Sequence, residues 1–212
     1  MDNIGNFNSS SQTNLPAVTG TSTASNGVHG KTSSNKDSAV FAEHTGQGIG
    51  VFATSAKGLA GFFQGDVTVT GDIRLLNADC AEDFDISETE GVEPGTVMVL
   101  DEEGALEPSH QAYDKRVAGV ISGAGLFRPG IVLDKRQTQS KRMPIALLGK
   151  VYCKIDAQYS PVGVGDLLTT SPTPGHAMKV DDPLKAFGAV IGKALRPLRS
   201  GQELVPILIA LQ

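Results

Sequence analysis

Glu93-Pro94-Gly95-Thr96-Val97-Met98-Val99-Leu100-Asp101 and Val164-Gly165-Asp166-Leu167-Leu168-Thr169-Thr170-Ser171 carry one pattern twice. In each, a glycine turn leads into a short apolar run and out into a polar hairpin, marked by Gly104 in the first and Gly175 in the second. Gly95 and Gly165 stand 70 positions apart. The same spacing relates Val117-Ala118-Gly119-Val120-Ile121-Ser122 to Phe187-Gly188-Ala189-Val190-Ile191-Gly192. A third pair, Met143-Pro144-Ile145-Ala146-Leu147-Leu148 and Val205-Pro206-Ile207-Leu208-Ile209-Ala210, is 62 apart, a shortfall assigned to a polar insertion from Lys135 to Arg142. Short apolar runs bounded by Gly and Pro read as strands. No window places apolar residues at helical spacing with capping signals. The pattern predicts an all-β domain over 79–212, duplicated as repeats near 80–148 and 150–212. Two interlocked subdomains related by a pseudo-twofold, sharing one core, are expected.

Upstream, a shorter signature recurs. Gly27-Val28-His29-Gly30, Ala39-Val40-Phe41-Ala42, Gly50-Val51-Phe52-Ala53 and Gly61-Phe62-Phe63-Gln64 begin 12, 11 and 11 residues apart. A strand, a turn and a return strand fit that period. One such rung cannot bury its own apolar face and must stack on neighbours. Four rungs make too small a core for one chain, so three chains about one axis are expected to supply the missing faces. The expectation is a short homotrimeric, β-helix-like rod over 27–78, with Val67 and Val69 in a strand leading out of it. Gly27, Gly50 and Gly61 open its rungs, as Gly95, Gly165 and Gly175 mark the turns of the later domain. Residues 1–26 are rich in Ser, Asn and Thr, broken by Ile4, Phe7, Leu15 and Val18. That composition buries too little to fix a chain and reads as a flexible leader or a docking peptide.

The 212 residues carry a net charge of −5, with 25 Gly, no Trp and 5% aromatics. An acidic chain without a basic stripe has no electrostatic footprint for nucleic acid or anionic lipid. No apolar run reaches the length of a membrane span. Met1-Asp2-Asn3-Ile4-Gly5 lacks the basic and apolar parts of a secretory signal, so the chain is expected to be made in the cytoplasm. Cys80 and Cys153 are expected as reduced thiols, with a disulfide left open.

Candidate chemistry is thin. Gly46-Gln47-Gly48-Ile49-Gly50 imitates a dinucleotide fingerprint but lies inside the 11-residue repeat with no crossover helix. Gly30-Lys31-Thr32 imitates the end of a phosphate loop, yet Ser25 stands where its first Gly belongs. His29, His44, His110 and His176 show no metal-ligand spacing. Asp101-Glu102-Glu103 and Asp181-Asp182 have the oxygen donors of a calcium site but read as solvated hairpins. Ser109, His110 and Asp114 are the residue types of a hydrolytic triad without a nucleophile elbow. No catalytic residue, cofactor or metal ligand is assigned.

The rung pattern followed by Gly65-Asp66-Val67-Thr68-Val69-Thr70-Gly71-Asp72-Ile73 resembles the end of a phage-type tail-fibre shaft. Ala81-Glu82-Asp83-Phe84, Pro94 to Leu100 and Val117 to Ser122 resemble the C-terminal domains of such fibres, the peptidase G2 type of autocleaving appendage domain being the nearest family. Lys154-Ile155-Asp156-Ala157, Gly165 to Ser171 and Gly175-His176-Ala177-Met178-Lys179 are also similar to a widespread bacterial β-module. The resemblance spans Gly27 to Gln212. It implies a homotrimeric fibre on a phage or contractile injection particle, attached through the leader to a baseplate or fibre-attachment protein, its C-terminal domain a distal head. It also implies, as a rival, self-cleavage of the chain, for which no nucleophile maps. Receptor contacts are expected in the loops 102–114, 133–142 and 171–182, at Glu102, Glu103, His110, Tyr113, Lys135, Arg136 and His176. A carbohydrate-binding module is the third reading, disfavoured by having Tyr113, Tyr152 and Tyr159 alone for stacking beside eight Phe.

Overall fold

The computed structural model describes residues 18–88, 90–136, 138 and 140–211; most of the expected leader lies outside these. The chain divides between Thr68 and Val69 into two units.

In the first unit the period is legible in the backbone. Stretches free of turn or bend at 41–44, 51–55 and 61–64 alternate with bends at 45–48 and 56–58. A side chain at the entry of each bend accepts from the backbone beyond it, which closes the turn locally. Ser22 Oγ accepts from the Ala24 and Ser25 N–H groups, and Ser34 Oγ from those of Lys36 and Asp37. His44 Nδ1 accepts from Gly46 and Gly48, and Ser55 Oγ from Gly58. The return strand expected in each rung does not form within the chain. Among the described residues no strand precedes Asp79. Each eleven-residue period holds one stretch without turn or bend and one bend.

The second unit is all-β apart from one helical turn. Its strands are β1 (Asp79–Asp85), β2 (Val97–Leu100), β3 (Leu106–Pro108), β4 (Val117–Ile121), β5 (Pro129–Leu133), β6 (Arg142–Asp156), β7 (Leu167–Thr170), β8 (Ala177–Lys179), β9 (Val190–Ala194) and β10 (Gln202–Ile209). The helical turn α1 spans Pro183–Ala186, where all-β reading expected a hairpin; Asp182 caps it by accepting from Leu184 and Lys185, with Pro at its start.

Two small rings of strands share β6. Its first half pairs with β1 and β4; β4 pairs with β2 and β2 with β3, and an Ile86–Leu106 bridge returns to the β1 segment. Its second half pairs with β10 and β8, and β8–β7–β9–β10 completes the other ring. The larger apolar cluster spans both rings, joining Val97, Val120 and Ala146 of the first to Val151, Ile155, Leu168, Ile191, Val205 and Ile207 of the second. Ile86, Met98, Leu106, Ile121 and Ile145 form a smaller cluster within the first ring.

The hydrogen bonds set the register between repeats and correct part of it. Gly95 N–H donates to Ile121 O and Ile121 N–H to Thr96 O; Gly165 N–H donates to Ala194 O and Ala194 N–H to Asp166 O. Gly95 and Gly165 therefore correspond as expected, but Ile121 corresponds to Ala194, not Ile191. The expected match of Val120-Ile121 with Val190-Ile191 is displaced by three residues. A bulge fixes the true register: Met98 faces Gly119 immediately before one bulge, and Leu168 faces Gly192 immediately before the other. Just before the insertion from Lys135 to Arg142 lies β5, a strand the repeat pattern did not include, which pairs in parallel with β1.

Candidate interaction surfaces

The first unit presents a ladder. Phe41, Phe52 and Phe63 recur every 11 residues and are 79%, 78% and 77% exposed. Val40, Val51 and Phe62 repeat beside them and are equally open. Burying one such side chain contributes roughly 1.5–3 kcal/mol, so six left in water are a large unsatisfied driving force.

In the second unit the loop residues singled out above separate into three places. Glu102 and Glu103 sit exposed at the tip of the β2–β3 hairpin. The hairpin is held by Asp101, whose carboxylate accepts from the N–H groups of Glu103 and Ala105 at 2.9 Å each. The Ser87 hydroxyl and then these amides hold the Asp101 carboxyl below its usual range. His110 is exposed on the β3–β4 loop, lining a cleft of about 320 Å³ with Glu88, Glu90, Thr96 and Pro174-Gly175. His176 is half-buried, its Nδ1 2.8 Å from the Pro174 carbonyl. Lys135 and Arg136 lie on the β5–β6 loop, where Arg136 pairs with Asp134.

Tyr113 has an inward role that the sequence did not signal. It adopts a positive φ of 58°. Its hydroxyl accepts from the Asp181 and Asp182 N–H groups at 3.1 and 3.0 Å, tying the first repeat to the entry of α1 in the second. The neighbouring Asp114 N–H donates to Thr170 Oγ1 at 2.7 Å across the same seam.

The triad residue types do not form a relay. Arg116 takes the Asp114 carboxylate through Nη2 at 2.7 Å and Nε at 3.1 Å, holding that carboxyl below its usual range. Ser109 Oγ is buried without a hydrogen-bond partner. Among the described residues no group of three or more His, Cys, Asp or Glu is placed to hold a metal. Cys80 and Cys153 are free thiols, and burial pushes the Cys153 thiol far up. Tyr152 is packed on Phe127, ring centroids 5.1 Å apart, and Tyr159 is half-exposed.

One contact links the repeats at the backbone. Gly175 enters the β2–β3 pair of the first repeat: Val97 N–H donates to Gly175 O at 2.9 Å, and Gly175 N–H donates to Ser109 O at 2.7 Å. Ser109 N–H still donates to Val97 O at 2.9 Å, so the glycine is wedged into one end of the pair. A Cβ at Gly175 would stand 2.7 Å from the Thr96 methyl, which together with a φ of 68° requires Gly there.

No family model matches the chain, that of the peptidase G2 type included, and no curated protein matches it. Three solved structures are similar to part of it. The bacteriophage phi29 gene product 12 C-terminal fragment is 16% identical with a TM-score of 0.43, over 62% of this chain and 100% of that one. The pre-mature bacteriophage phi29 gene product 12 is 17% identical with a TM-score of 0.47, over 71% of this chain and 23% of that one. The N base of the head fiber gp8.5 in bacteriophage phi29 is 21% identical with a TM-score of 0.32, over 60% of this chain and 92% of that one. Likeness at this level leaves function to be argued from the residues themselves.

Proposed function

We propose that the protein is a non-enzymatic structural and interaction component, a homotrimeric fibre or appendage carried on a phage tail or a contractile injection particle. The observation that carries this reading is the ladder of Phe41, Phe52 and Phe63. An 11-residue period with no strand partner among the described residues, and with its aromatics open, is built to be completed by other chains. Two further copies of the same segment supply identical extended stretches in register, so the bends stack and the aromatics meet about a common axis. The kind of particle comes from the resemblance of the rung and turn motifs to phage-type fibres. In this reading residues 1–26 dock to a baseplate or fibre-attachment protein, and the β-domain is the distal head. Its exposed loops, at Glu102, Glu103, His110, Lys135 and Arg136, face a cell-surface receptor.

Multi-angle light scattering of the full chain at micromolar concentration tests the reading. A mass of three chains is expected; a monomer overturns the fibre.

A further inference from the structure

The two repeats place the same slot in two settings, and one of them is empty of protein. Val97 corresponds to Leu167, and Ser109 to Val180, by the strand pairings that equate β2 with β7 and β3 with β8. In the first repeat the slot between the Val97 N–H and the Ser109 carbonyl holds Gly175, which bonds to both. In the second repeat Val180 N–H donates to Leu167 O at 2.9 Å, as Ser109 N–H does to Val97 O. The reverse bond, from Leu167 N–H to Val180 O, is not made among the described residues. These two residues line a groove of about 520 Å³ with Gly165, Asp166, Pro183 and Phe187. A donor and an acceptor thus flank an apolar groove, in the arrangement that receives a glycine in the other repeat. Phe187 at its edge is 85% exposed.

The residue that corresponds to Gly175 is Gly104, at the tip of the β2–β3 hairpin. Gly104 has a φ of 85°, close to the 68° of Gly175, and no atom lies within 4 Å of a Cβ built on it. Within one chain, then, the second repeat's glycine fills the first repeat's slot while the first repeat's glycine stands in solvent. Lys179 and Lys185 beside the groove are paired with Asp166 and Asp182, so the match between hairpin and groove lies in the backbone donor and acceptor rather than in charge. We propose that the β2–β3 hairpin of a neighbouring chain inserts Gly104 into this groove, its carbonyl accepting from Leu167 N–H and its N–H donating to Val180 O. The contact is head-to-tail, and repeated about the threefold axis of the trimer proposed above it closes into a ring that locks the heads. It rests on the trimeric reading above and specifies which surfaces of the heads meet.

The test is disulfide trapping in the full chain, with Cys80→Ser to remove the half-exposed thiol and with Glu103→Cys and Lys185→Cys at two exposed positions. After mild oxidation with diamide, non-reducing denaturing electrophoresis should show most of the protein as linked dimers and closed trimers, and either single variant should show no trimers. Circular dichroism melting confirms that the double variant is folded. A trimer by light scattering that yields no linked species overturns the inference and leaves the fibre reading standing. A monomer by light scattering overturns both. An intrachain disulfide, read as loss of both thiols at monomer mass, shows the hairpin folding onto its own groove and also overturns it.

Discussion

Gly119 and Gly192 occupy the same place in the two repeats. Each is in β-sheet where a Cβ would press on a backbone carbonyl of the strand opposite, that of Ala146 for Gly119 and that of Leu208 for Gly192. Both carbonyls belong to strands that also hold a buried Ile, Ile145 and Ile207.

Gly192→Ala should therefore destabilise the protein by roughly 1–3 kcal/mol, the usual cost of overpacking against backbone that cannot move. Gly119→Ala should cost more, because its φ of 145° adds strain to the clash. Gly104→Ala meets nothing within its own chain and should cost that chain's fold about 1 kcal/mol at most through its positive φ. Urea unfolding of the three variants measures the order; equal midpoints for Gly104→Ala and Gly192→Ala would refute the clash with the Leu208 carbonyl.

The aromatic ladder predicts a change of assembly. In the trimer proposed above, Phe52→Asp removes the apolar contact from every chain and puts three carboxylates near one axis. At about 2 kcal/mol per buried Phe and three chains, the loss is roughly 6 kcal/mol of assembly free energy before repulsion. Sedimentation velocity at micromolar concentration should show the trimer replaced by monomer, with the β-sheet circular dichroism of the head retained.

Tyr113→Phe removes the acceptor of two backbone N–H groups at the entry of α1. A loss of about 1 kcal/mol is expected. Hydrogen–deuterium exchange should speed up at Asp181 and Asp182 well before the strands of either ring respond. Unchanged exchange there would mean that the hydroxyl holds nothing.

Acid titration should separate two kinds of carboxylate. Burial raises the Asp79 carboxyl, partly offset by the nearby Ser122 hydroxyl, and neither of its oxygens has a hydrogen-bond partner. Between its ordinary value of 3.8 and the raised one, the folded state keeps a proton that the unfolded chain has lost. Stability from this group is present at low pH and falls as pH rises through that window. Asp114 runs the other way: Arg116 lowers its pKa, so its contribution is present above the unfolded value and lost as pH falls through the folded one. Asp79→Asn should raise the thermal midpoint at pH 7, and Asp114→Asn should lower it.

Arg142 pins the β5–β6 loop. It is 10% exposed, donates through Nη2 to Asp83 O at 2.5 Å and to Asp134 Oδ2 at 2.7 Å, and through Nη1 to Asp134 O at 2.9 Å. Arg142→Met should free the loop, so that limited trypsin digestion cuts at Lys135 or Arg136 several times faster while the remaining strands stay protected.

The duplication was readable because glycine turns carry positive φ wherever they fall, and Gly95 and Gly165 have φ of 97° and 86°. The register of the small-residue strand was not readable. Val-Ile occurs in both repeats, yet what aligns the strands is a bulge beside Gly119 and Gly192, and a bulge depends on pairing across the sheet rather than on local composition. Helix α1 had a usable signal in Asp182-Pro183, a cap followed by a proline, which its brevity obscured. Among the candidate contact residues, Glu102, Glu103, His110, Lys135 and Arg136 are exposed, as a loop position suggests. Tyr113 is drawn inward because its hydroxyl finds two amides 68 and 69 residues away, a long-range event no local pattern encodes.

Strand β6 runs without interruption for fifteen residues and serves as a wall of both rings. At Gly149 it changes partners from β1 to β10. Bending one ring against the other would strain this common staple, so a pull on the loops of either ring is felt in the other. A domain made this way carries load as one piece.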